Sequence, residues 1–533
     1  MFDTIIQGGE IIDGTGKKAY KADLGIADDK IAAIGKLEGR ETRLRIDAAG
    51  RYVTPGFIDL HTHSDATVLL APRMESKIQQ GVTLEVTGNC GDSAAPLRGE
   101  AVEDQARSLA RDGDLACDWR SVGEYLARVE AKGIATNYAT IAGHGTIRAS
   151  VIGHAMRRPS AQEMETMKAL LREALEQGAF GLSTGLIYPP SAYGDIDELA
   201  ELSSVMAAYG GFYASHIRNE GARLLESVEE ALAIGDRAGV PVQLSHHKAA
   251  GRRNWGKVKE SLAMIEEARA RGRDVTADQY PYIASSTGLG TVLPDWVHDG
   301  GAKALVERIR QSAVRERLRA ELASALPGWE NPATNNGWNN IVISGCASDH
   351  GTEGMSVQDI AKAGDEDPLD AAFRLLIDND GSVQVVMFSM CEDDVATVMR
   401  SPYVCVGSDS TARAPSGPMS GGKPHPRCYG TFPRVLGHYV REHGILGWEE
   451  AVRKMTSLSA ARLGLANRGR LSEGAYADVV VFDPKTIRDL ATFTDPHRFP
   501  EGIDAVFVNG TLAVEHGVQT RALAGRVLRR GRA

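Results

Sequence analysis

The 533-residue chain predicts an α/β protein, a (β/α)8 barrel with a small β-sandwich domain formed from both termini and an insertion between the last two barrel strands. Short apolar runs alternate with longer helical stretches through the middle of the chain, the pattern of a parallel sheet with crossover helices. Eight such runs are present, the number that closes a barrel. The two ends read as short strands broken by glycine, and neither is long enough to bury both faces of a sheet alone.

Residues 1–54 supply the N-terminal part of the β-domain in DTIIQGGEIIDGTG, ADLGIADDKIAAIG and LRIDAAGRYVTPG. The barrel spans 55–409, with strands expected at Gly56–Leu60, Thr83–Thr87, Thr136–Ala142, Phe180–Ser183, Phe212–Ser215, Val242–Ser245, Val275–Ala277 and Val404–Gly407. Helices are expected at Ala161–Glu176, Ala222–Ala238 and Lys257–Arg271. The connection from Tyr280 to Tyr403 is oversized; about 283–400 read as an insertion with strands IVISG and VQVVMF and a polar stretch, GWENPATNNGWNN. Loop and helices fill 410–467. Residues 468–533 return to strands, and Asn509-Gly510 between VFV and LAV is a two-residue hairpin signal.

Composition narrows the function. With 60 Lys and Arg against 70 Asp and Glu, the net charge is −10, which disfavours a nucleic-acid partner. Six cysteines without a C-x-x-C pair exclude a disulfide scaffold. The first residues lack the basic and apolar regions of a signal peptide, and no run of about 18 apolar residues spans a membrane. A cytoplasmic protein acting on a small molecule is expected. Oligomeric state is not written in the sequence.

Barrel chemistry sits at the C-terminal ends of the strands. The first strand ends in FIDLHTHSD, where His61 and His63 stand two apart and share one face of an extended chain. The second runs to Cys90 in EVTGNCG, the fifth to His216, the sixth to His246 and the eighth to Asp409. Imidazole, thiolate and carboxylate are zinc ligands, and their joint placement outweighs the ordinary structural role each has alone. Adjacent to His246, His247 faces the other way and reads as structural; His144 ends strand three, with either role open. Cys117, Cys346, Cys391, Cys405 and Cys428 are assigned to packing.

Two motifs fail their contexts. Gly181-Leu-Ser-Thr-Gly185 matches a nucleophile elbow, but Pro189 and Pro190 follow where a helix is required. Gly417-Pro-Met-Ser-Gly-Gly-Lys423 lacks both a preceding strand and the Ser or Thr of a phosphate loop.

PGFIDLHTHSD, followed by strand-end His216, His246 and Asp409, resembles the amidohydrolase superfamily. The closer resemblance is to N-acyl-D-amino-acid deacylases, carried across the chain by GVTLEVTGNCG, IAGHGTIR, GLSTGLIYPP, ASHIRNE, SHHK, DQYPY, VGSDS and HPRCYGTFPRVLG. GNCG discriminates, because the related hydantoinases and dihydroorotases use a carbamylated lysine and none ends strand four here. The resemblance implies a tight zinc site at Cys90, His216 and His246, and a second, weaker site at His61, His63 and Asp409 that Cys90 would bridge. It implies hydrolysis of an N-acyl-D-amino acid, with Asp409 as general base and then general acid.

The substrate α-carboxylate needs a cation. Lys248 lies two residues after His246, and Arg427 in HPRCYG binds carboxylates bidentately; Tyr188 and Tyr282 are further candidates, and Asp65 is a candidate orienter of the site. The long stretch STARAPSGPMSGGKPHP between Asp409 and Arg427 is expected either to move Arg427 or to form a lid. YIASSTGLGTVLPDW carries no Lys or Arg, which points to neutral or apolar substrate side chains, unless Lys303, Arg308 or Arg310 reaches the site. The alternatives are a cyclic-amide hydrolase, a deaminase or a non-catalytic scaffold; the scaffold is opposed by the full ligand set.

Overall fold

The computed structural model describes residues 1–113, 115–324 and 329–531. Gly328, the first residue of the polar stretch, and the last two residues of the C-terminal segment lie outside the described residues. The barrel strands are β1 (Phe57–Asp59), β2 (Val82–Thr87), β3 (Asn137–Thr140, resumed at Ala142–Gly143), β4 (Gly181–Gly185), β5 (Phe212–His216), β6 (Val242–Leu244), β7 (Val275–Gln279) and β8 (Val404–Val406). All pair in parallel with their sequence neighbours. The seam between β8 and β1 closes just beyond the strands, through a parallel bridge between Thr62 and Ser410. Asp409 N donates to His61 O at 2.8 Å and His63 N to Ser410 O at 3.1 Å. Closure therefore puts His61, His63 and Asp409 on one seam.

The helix Ala161–Glu176 shows why the outer ring forms. Ser160 and Glu163 make a reciprocal capping box at its start. Met164, Met167, Leu170, Leu171, Ala174 and Leu175 are buried at helical spacing against the barrel.

Strands from both ends share one sheet, since Val479–Phe482 pairs antiparallel with Tyr52–Pro55. Ile6, Leu24, Ile26, Val53, Val479, Val481 and Phe507 fill the space between this sheet and the four-stranded N-terminal one. Asn509 and Gly510 turn the last long hairpin with φ of 47° and 79°. A Cβ on Gly510 would stand 2.0 Å from Asp28 O, so only glycine fits.

The insertion has its own antiparallel sheet, Ala284–Gly288, Gln384–Phe388 and Ile341–Gly345, and its own core around Leu289, Val297, Leu305, Ile343, Phe373 and Val385. Its first strand leaves the barrel directly after β7, so the insertion overhangs the ligand-bearing end. Among the described residues no helix is long and apolar enough to cross a membrane.

Candidate active site

Tight turns carry the ligands inward from the strand ends. Gly88 has φ of 82°, and a Cβ there would lie 1.8 Å from Ile141 O. Cys90 (φ 52°), His246 (φ 34°) and Asp409 (φ 50°) adopt left-handed backbone, three of the nine non-glycine cases among the described residues. Each costs about 1 kcal/mol or more and is tolerated where surrounding contacts hold it.

Cys90 Sγ lies 3.3 Å from His61 Nε2 and 3.4 Å from His246 Nε2. Asp409 Oδ1 stands 2.9 Å from His63 Nε2 and 3.4 Å from His61 Nε2, and Oδ2 stands 2.8 Å from Arg427 Nη1. The rings of His216 and His246 meet edge to face at 4.2 Å. Donor atoms of His61, Cys90, His246 and Asp409 lie within 4.8 Å of one another, as do those of His216, Glu220 and His246. The six expected ligands thus converge, His63 joining through Asp409 and His216 through His246.

The electrostatics are those of a cation site. Burial pushes the Cys90 thiol up, but His61 and His246 pull it well below its usual range. Burial likewise raises the Asp409 carboxyl, and Arg427, then His246 and His61, hold it far below normal. Burial lowers His63, yet Asp409 and Cys90 lift it to about 10. Both ring nitrogens of buried His216 lack a hydrogen-bond partner. An unpartnered buried imidazole beside a thiolate is expensive unless an ion completes it, so these residues fit zinc.

Sequence reasoning missed three contributors. Asp278 accepts from Gln243 Nε2 and His246 N and meets His61 Nδ1 at 2.9 Å. The strand-end rule, applied to the seventh strand, points to it. Glu220 lies 3.0 Å from His246 Nδ1 and 2.5 Å from Lys248 Nζ; it sits in an irregular loop with no periodic signal. Tyr280 stacks under Arg427, with the guanidinium 4.7 Å from its ring, and lines the cavity.

Tyr282 requires correction. It lies outside the cavity wall, packed against Phe493 and His425 and beneath Arg434. Tyr282 N bonds to Tyr280 O at 3.0 Å, a tight turn around Pro281 that breaks the two-residue alternation of an extended chain. Tyr188 does line the cavity, its hydroxyl 3.0 Å from Thr287 Oγ1. Lys248 is buried and also lines it, donating to Glu220, with its Nζ 2.8 Å from His246 Nδ1. His144 is structural, held between Ser191 and Glu198, and His247 bonds Ser261. Asp65 is half-buried, and desolvation, with Asp92 beside it, pushes its carboxyl up to about 7. The stretch before Arg427 packs on the insertion, Lys423 N donating to Ser344 O at 2.7 Å, and leaves Arg427 in the site.

The cluster opens into a cavity of about 730 Å³ lined by His63, Cys90, Tyr188, His216, Lys248, Tyr280, Asp409 and Arg427, by Ser285, Ser286 and Thr287 of the insertion, and by Leu97, Leu186, Leu293 and Leu305.

Residues 45–514 match the model of the amidohydrolase family. The chain belongs to the amidohydrolase family. This amidohydrolase is 38% identical over 529 residues to a D-aminoacylase of Alcaligenes xylosoxydans xylosoxydans, covering 99% of this chain and 98% of the relative. It is 39% identical over 528 residues to an N-acyl-D-glutamate deacylase of the same organism, covering 99% and 96%. A solved N-acyl-D-glutamate deacylase from Bordetella bronchiseptica, complexed with zinc and a phosphonate mimic of the tetrahedral intermediate, superposes with a TM-score of 0.84 at 37% identity, covering 99% of each chain.

Proposed function

We propose that this amidohydrolase is a zinc-dependent deacylase, located in the cytoplasm, that hydrolyses the amide bond of N-acyl-D-amino acids with neutral or apolar side chains. Cys90, His216 and His246 would hold one ion tightly, and His61, His63 and Asp409 a second more weakly. A bound zinc ion supplies a water acidic enough to attack at neutral pH and polarises the amide carbonyl.

Asp409, ionised beside Arg427, takes the proton of the attacking water on a carboxylate oxygen. It returns that proton to the amide nitrogen, so the amine leaves neutral. Arg427, with Tyr280 beneath it and Lys248 across the cavity, binds the substrate α-carboxylate. Asp278 orients His61 from behind, and Glu220 does the same for His246. The leucines of the wall exclude water from the rest of the substrate.

The observation that carries this reading is the Asp409 carboxylate lying between His63 and Arg427 beside the Cys90 cluster. The side-chain preference rests on the cations. Among the described residues, the Lys and Arg lining the cavity are Arg218, Lys248 and Arg427. Arg218 is occupied by Glu230 and by the carbonyls of Ala192 and Gly194. Lys303 and Arg310 are exposed, and Arg308 is bound to the carbonyls of Val297 and Asp299. No cation is thereby left for an acidic side chain once the α-carboxylate is bound. A panel of N-acetyl-D- and L-amino acids, assayed with zinc for amine release, tests the proposal. Turnover of D-methionine or D-leucine derivatives above D-glutamate and all L-forms is expected; preference for D-glutamate or for L-forms refutes it.

A further inference from the structure

The helix beginning at Arg427 changes its winding. Arg427–Arg434 is α-helical, and Val435–Glu442 continues as a π-helix. Pro433, inside the α-helical part, has no N–H for the carbonyl four residues back, and the wider winding starts two residues later. His443 N donates to His438 O at 3.0 Å, closing a turn between residues five apart. Such a turn brings positions i, i+4 and i+5 to one face. Here they are His438, Glu442 and His443.

Their ligand atoms lie within 4.8 Å of one another. His438 Nδ1 is 3.6 Å from Glu442 Oε2, and the two imidazole rings are 4.3 Å apart. Arg441 holds the other Glu442 oxygen, Oε1, at 2.8 Å and leaves Oε2 toward the histidine. Glu392, to which the Tyr439 hydroxyl donates, stands 3.7 Å from His438 Nε2 on the far side of the ring. A carboxylate behind a histidine is the usual means of orienting a metal ligand. Arg434, a second nearby cation besides Arg441, is paired with Asp489 at 3.3 Å. Glu442 and His443 are exposed and His438 partly so, which gives solvent a direct approach.

We propose that His438, Glu442 and His443 form an additional, surface site for a divalent transition-metal ion, separate from both sites of the barrel cluster. Two imidazoles and one carboxylate suit zinc, nickel or copper, and small rotamer changes close the donors to bonding distance. The face offers three protein donors and leaves the remaining positions to water.

The test is equilibrium dialysis of the intact, zinc-loaded enzyme against low-micromolar zinc chloride, followed by metal analysis and deacylase assay. His443→Gln and Glu442→Gln are compared with the unaltered protein, since both positions are exposed and their replacement leaves the fold intact. Each variant is expected to hold about one zinc fewer while keeping activity in zinc-limited buffer. Equal zinc content in all three proteins overturns the site. Loss of zinc with a proportional loss of activity also overturns it, because the ion lost is then the catalytic one.

Discussion

Asp409 and Arg427 form an ion pair at 2.8 Å inside the barrel mouth. The guanidinium keeps the carboxylate ionised against burial, and under the proposed function it also binds the substrate carboxylate. Base strength and substrate binding are therefore tied through one side chain.

Asp409→Asn removes the proton acceptor but leaves His61, Cys90, His216 and His246 in place. Turnover should fall about 10²- to 10⁴-fold with zinc still bound. Metal analysis and kcat on the same preparation check this, and near-normal kcat refutes the base assignment.

Arg427→Lys keeps a positive charge beside Asp409 but loses the planar fork. KM for free-acid substrates should rise roughly tenfold or more, the value of a charge-assisted bond. For the same compound with its carboxylate converted to an amide, KM should change little. Equal effects on both substrates would remove Arg427 from carboxylate binding.

Asp278→Asn leaves the size of the side chain unchanged but weakens the hold on His61 and the turn at His246. Zinc affinity should drop about 10- to 100-fold in a chelator competition. A melting temperature unchanged in saturating zinc would separate this from a general loss of packing.

Chelation should abolish activity and zinc should restore it. The thiolate favoured at Cys90 by His61 and His246 makes the stripped enzyme sensitive to small alkylating agents. Alkylation before zinc is returned should block recovery, whereas the loaded enzyme should be protected; equal sensitivity of both forms counts against Cys90 as a ligand.

His298 of the insertion lies against Gly290 O at 3.1 Å, and burial lowers its pKa to about 4. Between about 6.5 and 4 the unfolded chain binds a proton that the folded chain does not. Stability should thus fall as pH drops through this window, by about 3 kcal/mol at most, and be unaffected by this group above it. His298→Gln keeps a donor and should flatten that part of the melting-temperature profile; an unchanged profile refutes the assignment.

By itself the sequence determined the barrel and the shared terminal sheet, and it picked out the six strand-end side chains that the structure brings together. Each rests on information local to the chain: alternation of apolar runs, the Asn509-Gly510 turn, and His61 and His63 two residues apart at a strand end. Such patterns hold while the backbone is extended or helical. They fail where it bends, and the turn at Pro281 accordingly exchanged Tyr280 for Tyr282 in the cavity wall. Tertiary structure alone decided that Glu220 pairs with Lys248, that Asp278 backs His61 across 217 residues, and that Arg427 meets Asp409. Those pairings are set by how the barrel closes and how loops fold over its mouth, because distance through space between strand ends depends on closure and not on separation along the chain.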